Sequence, residues 1–183
     1  MAWKRGSLTV LLLHSLVLAF APNAAHAGGR RCFGEVPTII GTNGSDDIRG
    51  TDGIDVILAK GGNDFVNSDR GADLICGGRG RDTLLGGTQT GHDHISGGAG
   101  GDQLKGGSSP DSLFGGPGKD VLRGVWLNDD LWGGVGDDEL MGGRGRDTFH
   151  GGPGRDACDF RAVEPPGIQE RDVSEASCEG IAS

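Results

Sequence analysis

The sequence predicts an all-β protein in which short parallel strands wind into a β-roll, that is, a solenoid of stacked coils. An aspartate recurs at every ninth residue, with a single step of eleven, and a glycine-rich stretch precedes each one. Glycine supplies 38 of the 183 residues, which argues against an ordinary globular core, and its period of nine excludes the triplet of collagen. The thirteen recurring aspartates are Asp46, Asp55, Asp64, Asp73, Asp82, Asp93, Asp102, Asp111, Asp120, Asp129, Asp138, Asp147 and Asp156.

Each nine-residue repeat divides into a turn and a strand. The glycines of the first half permit the positive φ angles of a tight turn. The three residues after the aspartate carry a large apolar side chain in the middle, which is typical of a short strand that buries one side chain. Two repeats make one coil, and successive coils should stack about 4.8 Å apart. The predicted core column consists of Ile48, Ile57, Val66, Ile75, Leu84, Ile95, Leu104, Leu113, Leu122, Leu131, Leu140, Phe149 and Cys158.

This stacking sorts the turns into two rows, one along each edge of the roll. Alternate repeats fall on the same edge, so aspartates of one row are two repeats apart. The first edge should carry Asp46, Asp64, Asp82, Asp102, Asp120, Asp138 and Asp156. The second edge should carry Asp55, Asp73, Asp93, Asp111, Asp129 and Asp147.

The segments outside the repeats are predicted to be a leader and two caps. Residues 1–27 have a basic start, an apolar run and the small-x-small site Ala25-His26-Ala27, which indicate a secretory signal peptide; as a membrane anchor the run is too short. Residues 28–40 are predicted to form an N-terminal cap, because Ile39 falls one period before Ile48. The roll then covers residues 41–159, and residues 160–183 form a C-terminal cap or tail.

The net charge and the predicted secretion exclude some classes of binding partner. The formal net charge is −9, and loss of the basic leader would make the mature chain more acidic still. We therefore expect a secreted, extracellular protein that binds no nucleic acid and has no membrane span once the signal peptide is removed.

Four cysteines in an exported chain predict two disulfides, for which three pairings exist. Cys158 lies at the apolar position of the last repeat, so the tail can bring Cys178 back to cap that end of the column. Cys32 then pairs with Cys76. Those two are more than two coils apart, so the N-terminal cap must fold back along the outside of the roll to reach the outward-facing Cys76.

The repeat itself resembles a known family. Gly77-Gly78-Arg79-Gly80-Arg81-Asp82-Thr83-Leu84-Leu85 and the stretch from Gly115 to Arg123 follow the pattern G-G-x-G-x-D-x-U-x, with U a large apolar residue. This pattern is similar to the repeats-in-toxin (RTX), or haemolysin-type, calcium-binding repeats, and the resemblance covers residues 41–159. It implies a right-handed parallel β-roll in which calcium ions lie between adjacent turns of one edge, held by the motif aspartates and by backbone oxygens.

The chemistry of the turns favours calcium independently of the family resemblance. Aspartate and carbonyl oxygens in a flexible turn suit the many oxygen ligands of calcium, whereas magnesium requires a stricter octahedron and zinc prefers thiolate or imidazole. Stacked carboxylates should repel one another without an ion, so folding should be coupled to calcium. Two rows of turns leave at most about 11 interstices for ions. The glycine pattern is intact, and binding should be strongest, in the turns that begin at Gly77, Gly97, Gly115, Gly133, Gly142 and Gly151.

Two further features leave alternatives open. Phe114, Trp132 and His150 should lie on consecutive coils of one outer face, where they either stack to steady the sheet or form the binding face of an extracellular adhesin or matrix module for a glycan or protein. The eleven-residue step places His92 and His94 beside Asp93, as a tolerated loop insertion or as a metal or catalytic site. No catalytic motif is recognisable elsewhere, so we predict a protein that is not an enzyme.

Overall fold

The fold is a β-solenoid of parallel strands. The computed structural model describes residues 31–88, 91–159, 173–174 and 178–180, and within them the chain forms strands and turns but no α-helix. No helix among these residues therefore has the length and apolar character needed to cross a membrane. The predicted signal peptide and most of the C-terminal tail lie outside the described residues. The strands are β1 Ile39–Ile40, β2 Asp47–Arg49, β3 Val56–Gly61, β4 Phe65–Asn67, β5 Leu74–Arg79, β6 Thr83–Leu85, β7 His94–Ala99, β8 Gln103–Gly107, β9 Ser112–Pro117, β10 Val121–Trp126, β11 Asp130–Val135, β12 Glu139–Arg144, β13 Thr148–His150, β14 Asp156–Asp159, β15 Val173–Ser174 and β16 Cys178–Gly180.

The strands divide into two eight-stranded sheets according to their position in the chain. The odd sheet has the order β1-β3-β5-β7-β9-β11-β13-β15, and the even sheet has the order β16-β14-β12-β10-β8-β6-β4-β2. Every strand pairs in parallel with the strands two positions away, so the same residue of each repeat lies in register from coil to coil. Leu113 pairs with Leu131, for example, and Leu131 with Phe149. The predicted parallel β-roll is confirmed.

The core is the single column that the period predicts. The apolar residues at the middle strand position form one buried cluster from Ile48 to Cys158, and Ala59 joins it from a turn. Ile39 packs against this column and pairs with Ile57, so residues before the first full repeat continue the coil. Each column residue packs on the residues one coil away, which makes the roll a stack held by neighbour contacts.

Several strands are longer than the predicted three residues. β9 and β11 each contain six residues and run through the first two glycines of the following turn. The ladder continues there because stacked turns have the same backbone path; Gly134, for instance, donates to the carbonyl of Gly151 at 2.9 Å. Glycine in these strands lowers intrinsic strand preference, but a parallel neighbour on each side compensates with hydrogen bonds.

Two disulfides tie the ends of the roll, and they join the two pairs expected from the sequence. Cys32 bonds Cys76, with Cα atoms 5.7 Å apart, and Cys158 bonds Cys178, with Cα atoms 5.6 Å apart. The first bridge holds the N-terminal segment against the outside of the odd sheet. There Cys32, Leu58 and Cys76 form a second small apolar cluster, against which Phe33 packs. The fold-back of the N-terminal cap thus gives the first coils a covering layer.

Candidate metal centre

The aspartates of the repeats form two rows, each along one edge of the roll. From Asp55 onward every one of the recurring aspartates is buried, with at most 4 % of its surface exposed, whereas Asp46 at the start is half-buried. Buried carboxylates without a cationic partner are rare in proteins. The rows therefore require a specific explanation.

One oxygen of each buried carboxylate is fixed by the preceding coil. Oδ1 of Asp120 accepts a hydrogen bond from the backbone N–H of Asp102 at 2.8 Å, and the N–H of Asp120 in turn donates to Oδ1 of Asp138 at 2.8 Å. The same bond recurs along both edges up to Asp147 and Asp156. This ladder fixes the rotamer of each aspartate, and the sequence pattern gave no sign of it.

The other oxygen of most of these carboxylates is buried and accepts no hydrogen bond. A buried polar atom without a partner costs about 1 to 3 kcal/mol, and more where it is charged. A single such atom can be tolerated, but a repeated set points to a ligand of opposite charge. The Oδ2 atoms concerned include those of Asp64, Asp73, Asp82, Asp102, Asp111, Asp120, Asp129, Asp138 and Asp156.

Backbone carbonyls converge on the same places. A β-carbon added to Gly97 would lie 2.6 Å from Oδ2 of Asp102 and 2.9 Å from the carbonyl oxygen of Gly115 on the next coil. At Gly133 the corresponding distances are 2.6 Å to Oδ2 of Asp138 and 2.7 Å to the carbonyl oxygen of Gly151. The first glycine of a turn thus leaves a space that a carboxylate oxygen and a carbonyl oxygen of the next coil both face.

Burial raises the pKa of these carboxyl groups. It raises the pKa of Asp120 to about 7 and that of Asp129 to about 9, against the lowering effect of the N–H bond from the preceding coil. Neighbouring carboxylates of the same row raise these pKa values further, but less than burial does. The sequence led us to expect mutual repulsion as the main difficulty of the metal-free coil. Removal from water is the larger one, because each carboxylate is enclosed by its own turn.

The oxygens fit a hard cation. Within the described residues no three His, Cys, Asp or Glu side chains cluster around one point, so a cation between two turns would take much of its coordination from the backbone. Flexible sets of carboxylate and carbonyl oxygens suit calcium, and zinc would lack thiolate and imidazole ligands in these turns. Buried carboxylate oxygens of this kind lie along both edges of the roll.

The turns of the two edges differ in regularity. On the first edge, all six turns from Lys60 to Gly154 place their second and fourth residues at positive φ. On the second edge, the turn before Asp111 does not, since Ser109 lacks a positive φ. Ser109 instead accepts a hydrogen bond from the N–H of Gly91 through its hydroxyl at 2.8 Å. The first edge is therefore the more uniform row of candidate sites.

One turn keeps the regular backbone although neither of its positive-φ positions is a glycine. Val125 and Leu127 occupy the second and fourth positions of the turn before Asp129 and have φ values of 99° and 69°. A β-branched residue at positive φ is strained, and such strain persists only where the surroundings impose it. Val125 pairs with Gly107 on one side and Gly143 on the other, and this stacking supplies the constraint.

The predicted aromatic row is present on the outside of the odd sheet. Phe114 stacks on Trp132 with ring centroids 4.6 Å apart, and Trp132 stacks on His150 with centroids 5.0 Å apart. Phe33 of the N-terminal segment packs on Phe114 at 5.8 Å, a contact that the sequence did not predict. Because both faces of the Trp132 ring are covered, the row presents ring edges to its surroundings. A groove of about 280 Å³ runs beside it, lined also by Gly116, Gly134, Gly152, Pro117, Val135 and Pro153.

The two histidines of the eleven-residue step also lie together. His92 and His94 stack with centroids 4.7 Å apart, and Nε2 of His92 lies 3.2 Å from Oγ of Ser112. No third His, Cys, Asp or Glu side chain completes a metal site with them among the described residues. Residues 89–90 of the same loop lie outside the description. The pair fits a loop that accommodates two extra residues.

The comparison with protein families agrees with the geometry. The family model described as the RTX calcium-binding nonapeptide repeat, which spans four copies of the repeat, matches overlapping parts of the chain at residues 40–75, 50–84, 73–104, 88–122, 96–131 and 123–158. Together these matches span most of the chain and coincide with the coils of the solenoid. A comparison with curated proteins gives no match.

Proposed function

Because the chain belongs to the family of RTX calcium-binding nonapeptide repeats, we propose that it is a secreted, non-enzymatic β-roll that binds calcium between its turns and completes its folding on meeting extracellular calcium. The observation that carries the proposal is the pair of rows of buried carboxylates, in most of which the Oδ2 atom accepts no hydrogen bond. Calcium would satisfy these oxygens and remove the cost of burying them. The family membership supports calcium as the ion.

The proposed ligands are the carboxylates of the thirteen recurring aspartates, together with turn carbonyls. We expect the tightest binding at the turns that begin at Gly77, Gly97, Gly115, Gly133, Gly142 and Gly151, and an upper limit of about 11 ions from the number of interstices. The role of the protein itself would be to hold oxygens in place, since Oδ1 of each buried aspartate is already fixed by the coil before it.

The predicted signal peptide and the disulfides support the proposal that the protein is secreted. Residues 1–27 have the composition of a signal peptide, and disulfides form in oxidising compartments. Extracellular calcium is sufficient for sites with a Kd of about 10⁻⁴ to 10⁻³ M. The chain would therefore remain loosely ordered inside the cell and become ordered outside, because the free energy of ion binding is then available to folding.

A calcium titration of the purified chain tests this function. Far-ultraviolet circular dichroism should show weak β signal in excess chelator and a cooperative gain on addition of millimolar calcium, with heat release by calorimetry over the same range. Magnesium at equal concentration should not substitute. A compact β fold that persists unchanged in chelator, together with no measurable calcium binding, would refute the proposal.

The groove beside the aromatic row favours a second candidate function, an extracellular module that binds a glycan. Its lining combines the rings of Phe114, Trp132 and His150 with Pro117, Val135 and Pro153 and with three glycines. A glycan array with calcium-loaded protein tests it. Trp132→Ala should abolish binding, whereas Trp126→Ala, an exposed tryptophan on the even sheet, should not. If both variants and the native chain give the same glycan-binding pattern, the row does not bind glycans and its role is to stabilise the sheet by stacking.

A further inference from the structure

The first four turns of the roll differ from the later ones, two of them in the hydrogen bonds of their aspartate and two in the side chain at the first position of the turn. In the turns before Asp46 and Asp55, a threonine stands at the second position. The N–H of Thr42 donates to Oδ2 of Asp46 at 2.6 Å, and the N–H of Thr51 donates to Oδ2 of Asp55 at 2.7 Å. These two carboxylates have the partner that the Oδ2 atoms of later turns lack.

The next two turns differ at their first position. Eleven of the thirteen turns begin with glycine, and the exceptions are Ala59 and Ser68. Both side chains are fully buried, with no exposed surface. In a later turn such as the one at Gly97, a β-carbon here would lie within 3 Å of two oxygens that face one another across the interstice. The side chains of Ala59 and Ser68 therefore occupy the space that glycine leaves for an ion.

Ser68 also supplies a hydrogen-bond donor in that space. Its hydroxyl donates to the carbonyl oxygen of Gly86 at 2.9 Å. Gly86 is the first residue of the next turn on the same edge, so its carbonyl corresponds to that of Gly115 facing Gly97. A hydroxyl hydrogen thus meets an oxygen of the type that a cation would meet farther along the roll.

We infer that residues 41–76 form a calcium-independent section of the roll, in which Thr42, Thr51, Ala59 and Ser68 take the place of ions, and that calcium binding begins with the turn before Asp82. The inference rests on the proposed function, whose ions it assigns to the remaining interstices. It lowers the expected number of ions from about 11 to about seven, because the side chains of Ala59 and Ser68 occupy two interstices and a threonine N–H already binds the aspartate Oδ2 at two others.

The covering layer supports the same division of the roll. The N-terminal segment lies over this section through the Cys32–Cys76 disulfide and the small cluster of Cys32, Leu58 and Cys76. Beyond Cys76 the outer face of the odd sheet has no such disulfide among the described residues. The section in which Ala59 and Ser68 replace the first glycine is thus the section that has a second apolar cluster and a disulfide.

Calcium stoichiometry of glycine variants tests the inference. Ser68→Gly and Ala59→Gly reopen the space at the first position of a turn, so each should bind one ion more per chain than the native protein, measured by equilibrium dialysis with the disulfides intact. Ser108→Gly is the matched control, since Ser108 is exposed at the third position of its turn, and its ion count should equal the native count. Gly97→Ser should lower the count by one.

The outcomes separate this inference from the proposed function. A native chain that binds no calcium would overturn the proposed function, and the inference with it. A native chain that binds calcium while Ser68→Gly and Ala59→Gly both keep the native count would overturn the inference alone. Hydrogen exchange in chelator gives a second readout that needs no variant. Amides of residues 56–76 should remain protected while those of residues 112–150 exchange, and equal loss in both parts would contradict the assignment.

Discussion

Asp120→Asn separates the ionic role of the aspartate rows from their structural role. Asparagine keeps an acceptor oxygen in the position of Oδ1, so the hydrogen bond from the N–H of Asp102 can persist, and the backbone bond to Asp138 is unchanged. What the substitution removes is the charge. In the metal-free chain this loss should be neutral or stabilising, because burial raises the pKa of Asp120 to about 7 and so disfavours its charged form.

In calcium the same substitution should be destabilising. Asp120 borders two interstices, one shared with the turn of Asp102 and one with the turn of Asp138. A site with calcium at 100 times its Kd contributes about 2.7 kcal/mol to the free energy of unfolding. Weakening or loss of two such sites should therefore cost about 3 to 5 kcal/mol at 10 mM calcium if Kd is about 10⁻⁴ M.

Urea unfolding at calcium concentrations from 0.1 to about 10 mM measures the effect. The destabilisation by Asp120→Asn should grow with calcium concentration, because the variant gains less from each tenfold increase in the ion. Asp137→Asn is the control for loss of charge. Asp137 lies beside the row but is exposed, and its partner is Arg155 at 3.2 Å, so the effect of its substitution should be small and should not depend on calcium. A destabilisation by Asp120→Asn that is the same at every calcium concentration would refute the assignment of the carboxylate to an ion site.

Three further outcomes follow from the structure. Burial raises the folded-state pKa of the row aspartates above their unfolded value, to about 6 at Asp102 and about 9 at Asp129. The stability of the metal-free chain should therefore fall as pH rises from 5 to about 8, whereas calcium affinity should rise over that range. Circular dichroism and calorimetry at both pH values check these two outcomes. Val125→Gly should raise the free energy of unfolding in calcium by about 1 kcal/mol or more, because it relieves a φ of 99° at a β-branched residue, and an unchanged urea midpoint would contradict that strain. Leu122→Ala, in the middle of the column, should cost about 2 to 5 kcal/mol, whereas Leu85→Ala on the half-buried outer face should cost clearly less.

The column and the register were predictable because the period determines them. A repeat of nine with one apolar residue in a fixed place can bury that residue only if the coils align it, and Ile39, which pairs with Ile57, extends the pattern one repeat before the first full repeat. The outward row of Phe114, Trp132 and His150 follows from the same alignment. The packing of Phe33 on this row was not predictable, since it depends on how a turn outside the period folds back over the sheet.

The sequence predicts where the aspartates of each row lie, but it does not predict their burial or their hydrogen bonds. The sequence indicates that Asp102 and Asp120 stack, and it leads to an expectation of repulsion. It does not indicate that each carboxylate would be held by an N–H of the previous coil or enclosed so completely. That geometry arises from the turn backbone, which glycine makes possible and no side-chain pattern encodes. The threonine bonds at Asp46 and Asp55 are of the same kind, although the recurrence of threonine after the first glycine was a visible signal.

Departures from the glycine pattern have two physical meanings that the sequence alone does not separate. At the second and fourth positions of a turn, glycine is favoured because the backbone needs a positive φ, so Val125 and Leu127 strain the turn but leave the space between coils unchanged. At the first position glycine is favoured because a side chain would enter that space, so Ala59 and Ser68 fill it without any need for a positive φ. Both kinds of departure look like weak calcium repeats in the sequence. In the structure the first kind keeps its candidate ion site at a cost in backbone energy, and the second kind replaces the site with the protein's own atoms.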